Sequence, residues 1–198
     1  MRYDSEHKQR TRERVLKEAG NAIRAKGPSN VGVAEVMANA GLTHGGFYAH
    51  FANRDDMLGA AIGLMFEKAG ARFERATAGQ SDPAGVMGAY VDFYLSLAHR
   101  DTRTSGCPLP FLSADAPRLP QTLREAYGAG VERLTGRIAE QLVRMNHPDP
   151  WPTASSALSE MVGALALARA DPDLERADQR LASSRISVKQ RLGLEVTQ

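Results

Sequence analysis

Apolar residues at helical spacing run through almost the whole chain, and this pattern limits the possible folds more than any other feature. Between about residue 11 and residue 192 they recur every three or four positions, which is the repeat of an amphipathic α-helix. No stretch alternates apolar and polar residues as a half-buried β-strand does, and no internal repeat is visible. We therefore expect an all-α protein with about nine helices.

Glycine, proline and capping residues mark where these helices begin and end. Gly27 and Gly41 stop the first two helices, because glycine readily adopts the left-handed conformation that ends a helix. Asn53 is a suitable cap for a long fourth helix, and Pro83 suits the start of the fifth. The proline-rich residues 108–120 leave room for a short helix at most. The predicted helices cover roughly 11–26, 33–40, 44–51, 54–78, 83–95, 123–146, 152–170 and 173–192.

The stretch from Val33 to Arg54 has the pattern of a helix-turn-helix, in which two short helices meet at a tight turn. Its second helix carries glycine, histidine and tyrosine where a solvated helix usually carries charges. Gly45 and Gly46 cost about 1 kcal/mol each relative to alanine, so we infer that close approach to its backbone outweighs that cost. The outer face would consist of His44, Gly45, Gly46, Tyr48 and His50. The inner face would consist of Ala34, Val36, Met37, Ala40, Leu42, Phe47 and Phe51.

Charge and composition narrow the classes of partner. The net charge is only +2, but residues 1–26 carry eight Lys or Arg against four Asp or Glu, and such a basic arm fits contact with phosphates. The single cysteine, Cys107, excludes an internal disulfide framework and fits a reducing cytoplasm, and no Cys/His spacing predicts a zinc site. The longest apolar run, 161–168, is too short to cross a bilayer, and the polar, charged first residues show no apolar core of the kind expected in a signal peptide. We expect a cytoplasmic protein without membrane contact, cofactor or metal.

Two stretches resemble the tetracycline-repressor (TetR/AcrR) family of bacterial transcription regulators: TRERVLKEAGNAIRAKG at 11–27 and VAEVMANAGLTHGGFYAHFANRDDML at 33–58. The second is specific, because it combines the AG turn, a helix of small residues, an aromatic set and an acidic start to the next helix. The resemblance implies an all-helical homodimer, with a three-helix DNA-binding domain over residues 1–54. It also implies a larger helical domain for ligand binding and dimerisation over residues 55–198.

The resemblance further implies DNA-contacting roles within the helix-turn-helix. His44 and Gly46 occupy positions that read base edges, and a lysine is common where His44 stands. Gly45 would let the start of the helix lie against the DNA backbone. Residues at positions that meet phosphates, and so place the domain on the duplex, are Thr43, Tyr48, His50 and Arg54.

Beyond residue 60 the resemblance supports only a general architecture. The last two predicted helices would form a four-helix interface across a twofold axis, although the same apolar stripes also fit a core within one chain. The earlier helices would enclose a pocket for an unknown small-molecule effector. Aromatic and methionine residues that could line this pocket, or simply pack in a core, are Met65, Phe66, Tyr90, Phe93, Tyr94, Phe111, Tyr127 and Trp151.

Cys107 suggests a second way of sensing. It follows Gly106 and precedes Pro108, a residue suited to the first turn of a helix, where backbone amides lower the pKa of a thiol. A subset of TetR-like repressors carries a similar glycine-cysteine pair, and some of these sense electrophiles or oxidants. The alternative is a small, unreactive buried residue.

Together these patterns predict a sequence-specific DNA-binding regulator, not an enzyme. We expect a repressor that binds a near-palindromic operator in double-stranded DNA as a homodimer and is released by an effector or by modification of Cys107. Alternatives are an activator of the same family and a helical adaptor that binds protein. An enzyme with Cys107 or a histidine as its reactive group lacks the accompanying residues that such catalysis needs.

Overall fold

The computed structural model describes residues 2–102 and 105–195, and every regular element in these ranges is a helix. The prediction of an all-α fold is therefore confirmed. The α-helices are α1 (Arg2–Lys26), α2 (Val33–Asn39), α3 (Arg54–Ala76), α4 (Pro83–Tyr94), α5 (Leu97–Asp101), α6 (Leu109–Leu112), α7 (Gln121–Arg144), α8 (Pro150–Ala170) and α9 (Leu174–Arg191). Short 3₁₀ helices lie at Pro28–Asn30, His44–Ala49 and Ala116–Arg118.

The chain divides into two compact units. Unit 1 contains Met1–Glu67 and Phe111–Gly130, and unit 2 contains Lys68–Pro110 and Val131–Gln198. Helices α3 and α7 each contribute to both units. The predicted boundary after residue 54 separates a DNA-binding domain from a ligand-binding and dimerisation domain. It is a division by function, which the two compact units do not test, and it stays a prediction.

In unit 1, α1, α2 and the 3₁₀ helix His44–Ala49 form the predicted helix-turn-helix arrangement around one apolar core. The core side chains include Ile23, Val36, Met37, Phe47 and Phe51, each at most 2% exposed. The turn after α2 depends on Gly41, whose φ of 67° lies in the left-handed region that favours glycine. The next amide, of Leu42, donates to the Met37 carbonyl at 2.9 Å, which satisfies one of the last carbonyls of α2.

Side-chain caps fix the starts of two helices where the sequence predicted them. The Asn53 carboxamide oxygen accepts a hydrogen bond from the Asp56 amide at 2.9 Å, and the Asp56 carboxylate accepts one from the Ala52 amide at 2.9 Å. At α4, the Asp82 carboxylate accepts from the Gly85 amide at 2.9 Å, and Pro83 stands in the first turn. Both starts are therefore confirmed.

The predicted helix at 44–51 needs correction. Residues 44–49 form a 3₁₀ helix, not an α-helix, because Gly45 and Gly46 have low α-helix propensity and the segment is too short to compensate. Thr43 occupies the N-cap, but its side chain makes no capping hydrogen bond. The short helix α5 was not predicted; Ser96 caps it by accepting from the His99 amide at 3.1 Å.

Unit 2 is organised around α8 and α9, which pack along each other, with α4 and α5 against them. Arg100 of α5 pairs with Asp178 of α9, and Lys189 of α9 pairs with Asp92 of α4 at 2.7 Å. At the corner between α8 and α9, hydrogen bonds from Arg176 hold the pKa of Asp171 at about 2. These ion pairs connect helices that the apolar core already brings together.

No helix within 2–102 and 105–195 combines the length and apolarity needed to span a membrane. Over the same residues, no group of three or more His, Cys, Asp or Glu side chains is arranged to hold a metal ion.

Candidate nucleic-acid interface and a cavity in unit 2

The 3₁₀ helix His44–Ala49 presents one face to the core of unit 1 and the other to solvent. Phe47 is 2% exposed and stacks on Phe51 at a ring distance of 5.6 Å. The adjacent Tyr48 is 72% exposed and touches Phe47 with its ring edge at 5.3 Å. Of the other residues predicted to contact DNA here, Thr43, His44 and Gly45 are exposed, and Gly46 and His50 are half-buried. The core aromatic residues thus hold a polar, small-residue surface outward.

The packing of unit 1 does not explain why residue 45 is glycine. Its φ is not in the left-handed region, and a β-carbon added there would meet no atom within 4 Å. At Gly46 an added β-carbon would make ordinary contacts at 3.8 Å with Met37 and Thr43. An alanine at either position would favour a helix, so nothing in the packing of unit 1 requires a glycine at position 45.

Two basic residues of α1 extend this surface, and the sequence analysis did not assign them a contact. Lys8 and Arg12 lie close enough to His50 to lower its pKa, although burial of the imidazole is the larger cause. The Arg12 guanidinium also lies over the Phe51 ring, 5.0 Å from its centre. The sequence signal was the basic N-terminal arm, but only the fold shows which of its residues point towards the helix-turn-helix.

Arg54, predicted to meet phosphate, is occupied inside unit 1. Its Nε donates to the Val31 carbonyl at 2.8 Å, and its Nη2 donates to the carbonyls of Pro28 at 2.6 Å and Ser29 at 3.0 Å. Its Nη1 pairs with the Asp55 carboxylate at 3.3 Å. These bonds use four of the five guanidinium N–H groups, so Arg54 ties the start of α3 to the chain that precedes α2.

The residues predicted to line an effector pocket lie in several places. In unit 2, Tyr90 and Tyr94 line a small cavity, whereas Trp151 is 46% exposed and faces Gly136 on α7. In unit 1, Phe66 packs edge-on against Tyr127 at 5.9 Å, and Phe111 lies under Arg24. The Tyr127 hydroxyl bonds to Ser113 at 2.9 Å beside an open groove. Their common role as one pocket stays a prediction.

Cys107 lines the same small cavity as Tyr90 and Tyr94, and it is 4% exposed. Its amide donates to Nε2 of His99 at 3.2 Å, and Nδ1 of His99 then donates to the Tyr94 carbonyl at 2.8 Å. Burial lowers the pKa of His99 to about 4, so its imidazole is neutral. Because both of its nitrogens are engaged, His99 fixes the loop and is no base for the thiol.

The pKa expected for Cys107 was wrong in direction. Burial raises the pKa of the thiol, and contacts with Tyr94 and the Leu109 amide oppose that effect only in part. The helix that follows, α6, has only four residues, so its dipole provides little compensation. The thiol is therefore protonated at neutral pH.

Close packing requires a glycine at position 106, next to this cysteine. A β-carbon there would lie 2.8 Å from Nη2 of Arg169, 3.0 Å from the Thr102 carbonyl and 3.1 Å from Nε2 of His99. Arg169 donates to the carbonyls of His99 at 2.7 Å and Arg100 at 3.1 Å, and so anchors the end of α5 on α8. The glycine-cysteine pair is thus a place where three chain segments meet tightly.

Comparisons with known proteins agree with this fold. Residues 15–61 match the family model described as bacterial regulatory proteins, tetR family. A TetR transcriptional regulator from Chloroflexus aurantiacus superposes with a TM-score of 0.80 at 24% identity, over 96% of this chain and 98% of its own. The reduced form of NemR from E. coli superposes with a TM-score of 0.78 at 22% identity, over 91% of this chain and 95% of its own. A TetR-family regulator from Cytophaga hutchinsonii superposes with a TM-score of 0.79 at 18% identity, over 97% of this chain and 98% of its own. No curated protein matches the chain significantly in sequence.

The matched residues contain the complete helix-turn-helix and the start of α3. The superposed structures from Chloroflexus aurantiacus and Cytophaga hutchinsonii are described as transcriptional regulators. Over residues 15–61 the chain is therefore similar to the tetR family of bacterial regulatory proteins, and its helices as a whole share the fold of solved TetR-family regulators.

Proposed function

We propose that this protein is a ligand-responsive repressor that binds a near-palindromic operator as a homodimer in the cytoplasm. The observation that supports it most is the outward face of the 3₁₀ helix His44–Ala49, where Gly45 leaves the backbone open and Tyr48 is 72% exposed. A major groove admits a helix whose backbone comes close, and two such helices about 34 Å apart would read two half-sites.

The proposed contacts divide by role. His44 and Gly46 would face base edges, and Gly45 would let the segment enter the groove. Thr43, Tyr48 and the neutral imidazole of His50 would donate to phosphates, and Lys8 and Arg12 of α1 would add positive charge beside them. We assign Arg54 a supporting role, because its bonds to backbone carbonyls hold the helix-turn-helix from inside.

Salt dependence tests DNA binding quantitatively. Duplexes would first be selected from a random pool, and affinity for the selected duplex would be measured against salt concentration. With Lys8 and Arg12 in each of two protomers, four cations face phosphates, so log affinity against log salt should have a slope of about −3.6 or steeper. Lys8→Gln should make that slope shallower by about 2 units across the dimer. Failure to bind any duplex at low ionic strength would refute the proposal, and a flat salt profile would favour a protein-binding adaptor.

The dimer would form through α8 and α9. Leu167 on α8 and Leu174 and Ile186 on α9 are 56%, 63% and 45% exposed, an unusual set of large apolar side chains to leave in water. Gly163 lies one turn before Leu167, and a β-carbon there would meet no atom within 4 Å. Both observations fit close approach by a second copy of these helices.

Gly163→Arg should therefore weaken dimerisation by at least about 100-fold, because it would place an unpaired charge in an apolar interface. Sedimentation of the purified protein over a range of concentrations measures the effect. Gly88→Arg is the matched control, since Gly88 of α4 is also open and lies outside the proposed interface. A Gly163→Arg protein that remains as dimeric as the control would exclude this surface.

Release from DNA would follow from different effector affinities in two arrangements of the dimer. Helix α3 begins with Arg54 at the helix-turn-helix, and Arg72, four residues before its end, lines the unit 2 cavity. An effector that shifts α3 with a coupling of about 1–3 kcal/mol would change operator affinity five- to 150-fold. Modification of Cys107, which lines the same cavity, is the second trigger we propose; its raised pKa makes it slow to react until the cavity opens.

A further inference from the structure

A narrow cavity in unit 2 contains polar groups that the described part of the protein leaves unsatisfied. Its lining includes Arg72, Tyr90, Phe93, Tyr94, His99 and Cys107. It is partly open to solvent, and the space between these side chains admits little more than one water-sized group. The aromatic rings therefore leave room for a small polar group beside the cysteine sulfur.

The Tyr94 hydroxyl is the first unsatisfied group. Tyr94 is 1% exposed, and its hydroxyl oxygen is buried without a hydrogen-bond partner among the nitrogen and oxygen atoms of the described residues. Among these residues its one polar contact is a hydrogen bond with the Cys107 thiol, and sulfur is a weak acceptor. A buried hydroxyl without a good partner is costly, and such groups in native proteins usually meet a water, an ion or a ligand.

The guanidinium group of Arg72 is the second unsatisfied group. Its Nη1 is buried without a hydrogen-bond partner in the described part of the chain. Burial lowers the pKa of Arg72, and the only acidic group among the described residues that opposes this shift is the Cys107 thiol, not a carboxylate. Other guanidinium groups of unit 2 are differently placed: Arg137 pairs with Glu74 at 2.9 Å, and Arg100 pairs with Asp101 at 2.7 Å. Arg72 thus brings a positive charge to the cavity without a carboxylate to balance it.

His99 has no free ring nitrogen with which to bind a ligand, because both are already hydrogen-bonded. It is 4% exposed, its Nε2 accepts from the Cys107 amide, and its Nδ1 donates to the Tyr94 carbonyl. The donors that remain for a guest are the hydroxyl of Tyr94 and the Nη1 of Arg72. A guest that accepts from both and balances the charge is an anion with a small oxygen-bearing head.

We propose that Arg72 and Tyr94 form a binding site for one monoanionic oxygen group next to the sulfur of Cys107. The inference rests on the proposed effector-responsive function and names the chemistry that the cavity recognises. The anionic group has two sources. It is either the carboxylate of a small free acid or an oxygen added to Cys107 itself.

The second source is a balanced reaction with hydrogen peroxide. The sulfur attacks one peroxide oxygen, an S–O bond forms and the O–O bond breaks. Sulfur loses two electrons, and the other oxygen leaves as water with the thiol proton, which gives a sulfenic acid. That acid releases its proton to solvent, and the sulfenate oxygen accepts hydrogen bonds from Tyr94 and Arg72.

The first arm of the test measures free anions on the full-length protein without DNA. Formate and acetate would replace chloride at constant ionic strength, and thermal unfolding and calorimetric titration would report binding. Arg72→Gln and Tyr94→Phe should each weaken carboxylate binding by at least about tenfold, because charge-assisted hydrogen bonds are lost. Arg75→Gln is the matched control: Arg75 is exposed one turn further along α3. Cys107→Ser should leave carboxylate binding intact.

The second arm measures oxidation. Hydrogen peroxide would be added, samples would be denatured at timed intervals with dimedone to trap sulfenic acid, and mass spectrometry would follow the modification of Cys107. If oxygen on sulfur is the anion, Arg72→Gln and Tyr94→Phe should slow trapping by at least about tenfold, while Arg75→Gln follows the wild type. Tyr94→Phe should keep the melting temperature of the wild type, since it removes a hydroxyl with no good partner and retains the ring.

The site is supported if either carboxylate binding or oxidation of Cys107 depends on both Arg72 and Tyr94. The measurement that shows this dependence identifies whether the anion is a free carboxylate or an oxygen on Cys107. If neither arm depends on them, the cavity holds a water molecule only and the proposal is overturned. A fall in melting temperature for Tyr94→Phe, with unchanged binding and trapping, would likewise assign these residues to packing. Because DNA is absent from both arms, the result is independent of whether the protein binds an operator.

Discussion

Gly45→Leu is expected to weaken operator binding by at least about 100-fold while leaving the fold intact, since a groove complementary to glycine must lose several contacts to admit leucine. The free energy of unfolding should stay the same or rise by about 0.5–1 kcal/mol, because leucine has the higher helix propensity. A β-carbon at this position meets no other side chain or segment within 4 Å, so a loss of binding with unchanged stability would originate at the DNA. Urea denaturation and DNA titration of the same preparation measure the two effects.

Gly88→Leu provides the control for this experiment. Gly88 is another glycine with an ordinary φ and open space at its β-carbon, but it lies on α4 in unit 2. It should change stability in the same direction and leave operator affinity unchanged. If Gly45→Leu binds the operator as the wild type does, the 3₁₀ helix His44–Ala49 does not enter a groove, and the assignments of His44 and Gly46 to base edges fail with it.

The parts of the fold that the sequence predicted well are those decided by local chemistry. Asn53 caps α3 through the amide three residues later, Pro83 stands in the first turn of α4, and Gly41 ends α2 through its own backbone conformation. Each of these devices acts within one helical turn, so a single sequence contains what is needed to recognise it. The apolar repeat predicted the longer helices correctly, because it too is formed by residues three or four positions apart.

Features that depend on distant partners escaped sequence reasoning. Residues 44–49 became a 3₁₀ helix because Phe47 and Phe51 are fixed by the core, while Gly45 and Gly46 do little to favour an α-helix. The helix α5 is held by Arg169, about 70 residues away in sequence, through carbonyls at the end of that helix.

The candidate sites divide in the same way. The outward residues of the helix-turn-helix were predictable, because exposure follows from helical periodicity near an aromatic core. The sign of the Cys107 pKa shift was not, because it is decided by burial among Tyr94, His99 and other residues that only the fold assembles. Arg72 carried no signal at all, since a lone arginine on an amphipathic helix usually faces solvent.

Arg54→Met is expected to destabilise the protein by about 3 kcal/mol, because the carbonyls of Pro28, Ser29 and Val31 would lose their charged donor. Operator affinity should fall as well, since the start of α3 would no longer be tied to the chain before α2. Arg54→Lys should recover less than half of the lost stability, because an ammonium group lacks the planar fork that reaches these carbonyls together. Thermal and urea unfolding measure stability, and DNA titration measures affinity.

This prediction separates a supporting arginine from a phosphate-binding one. A residue that only met phosphate would cost affinity without stability when changed to methionine, and lysine would restore most of the binding as a point charge. Arg14→Met is the control, since Arg14 is exposed on α1 and its loss should leave stability within about 0.5 kcal/mol of the wild type. A stable Arg54→Met protein with weak operator binding would return Arg54 to the phosphate contacts. A destabilised Arg54→Met protein that Arg54→Lys rescues poorly would instead show that Arg54 holds the helix-turn-helix against α3. A movement of α3 would then reach the DNA-facing surface through the hydrogen bonds of Arg54.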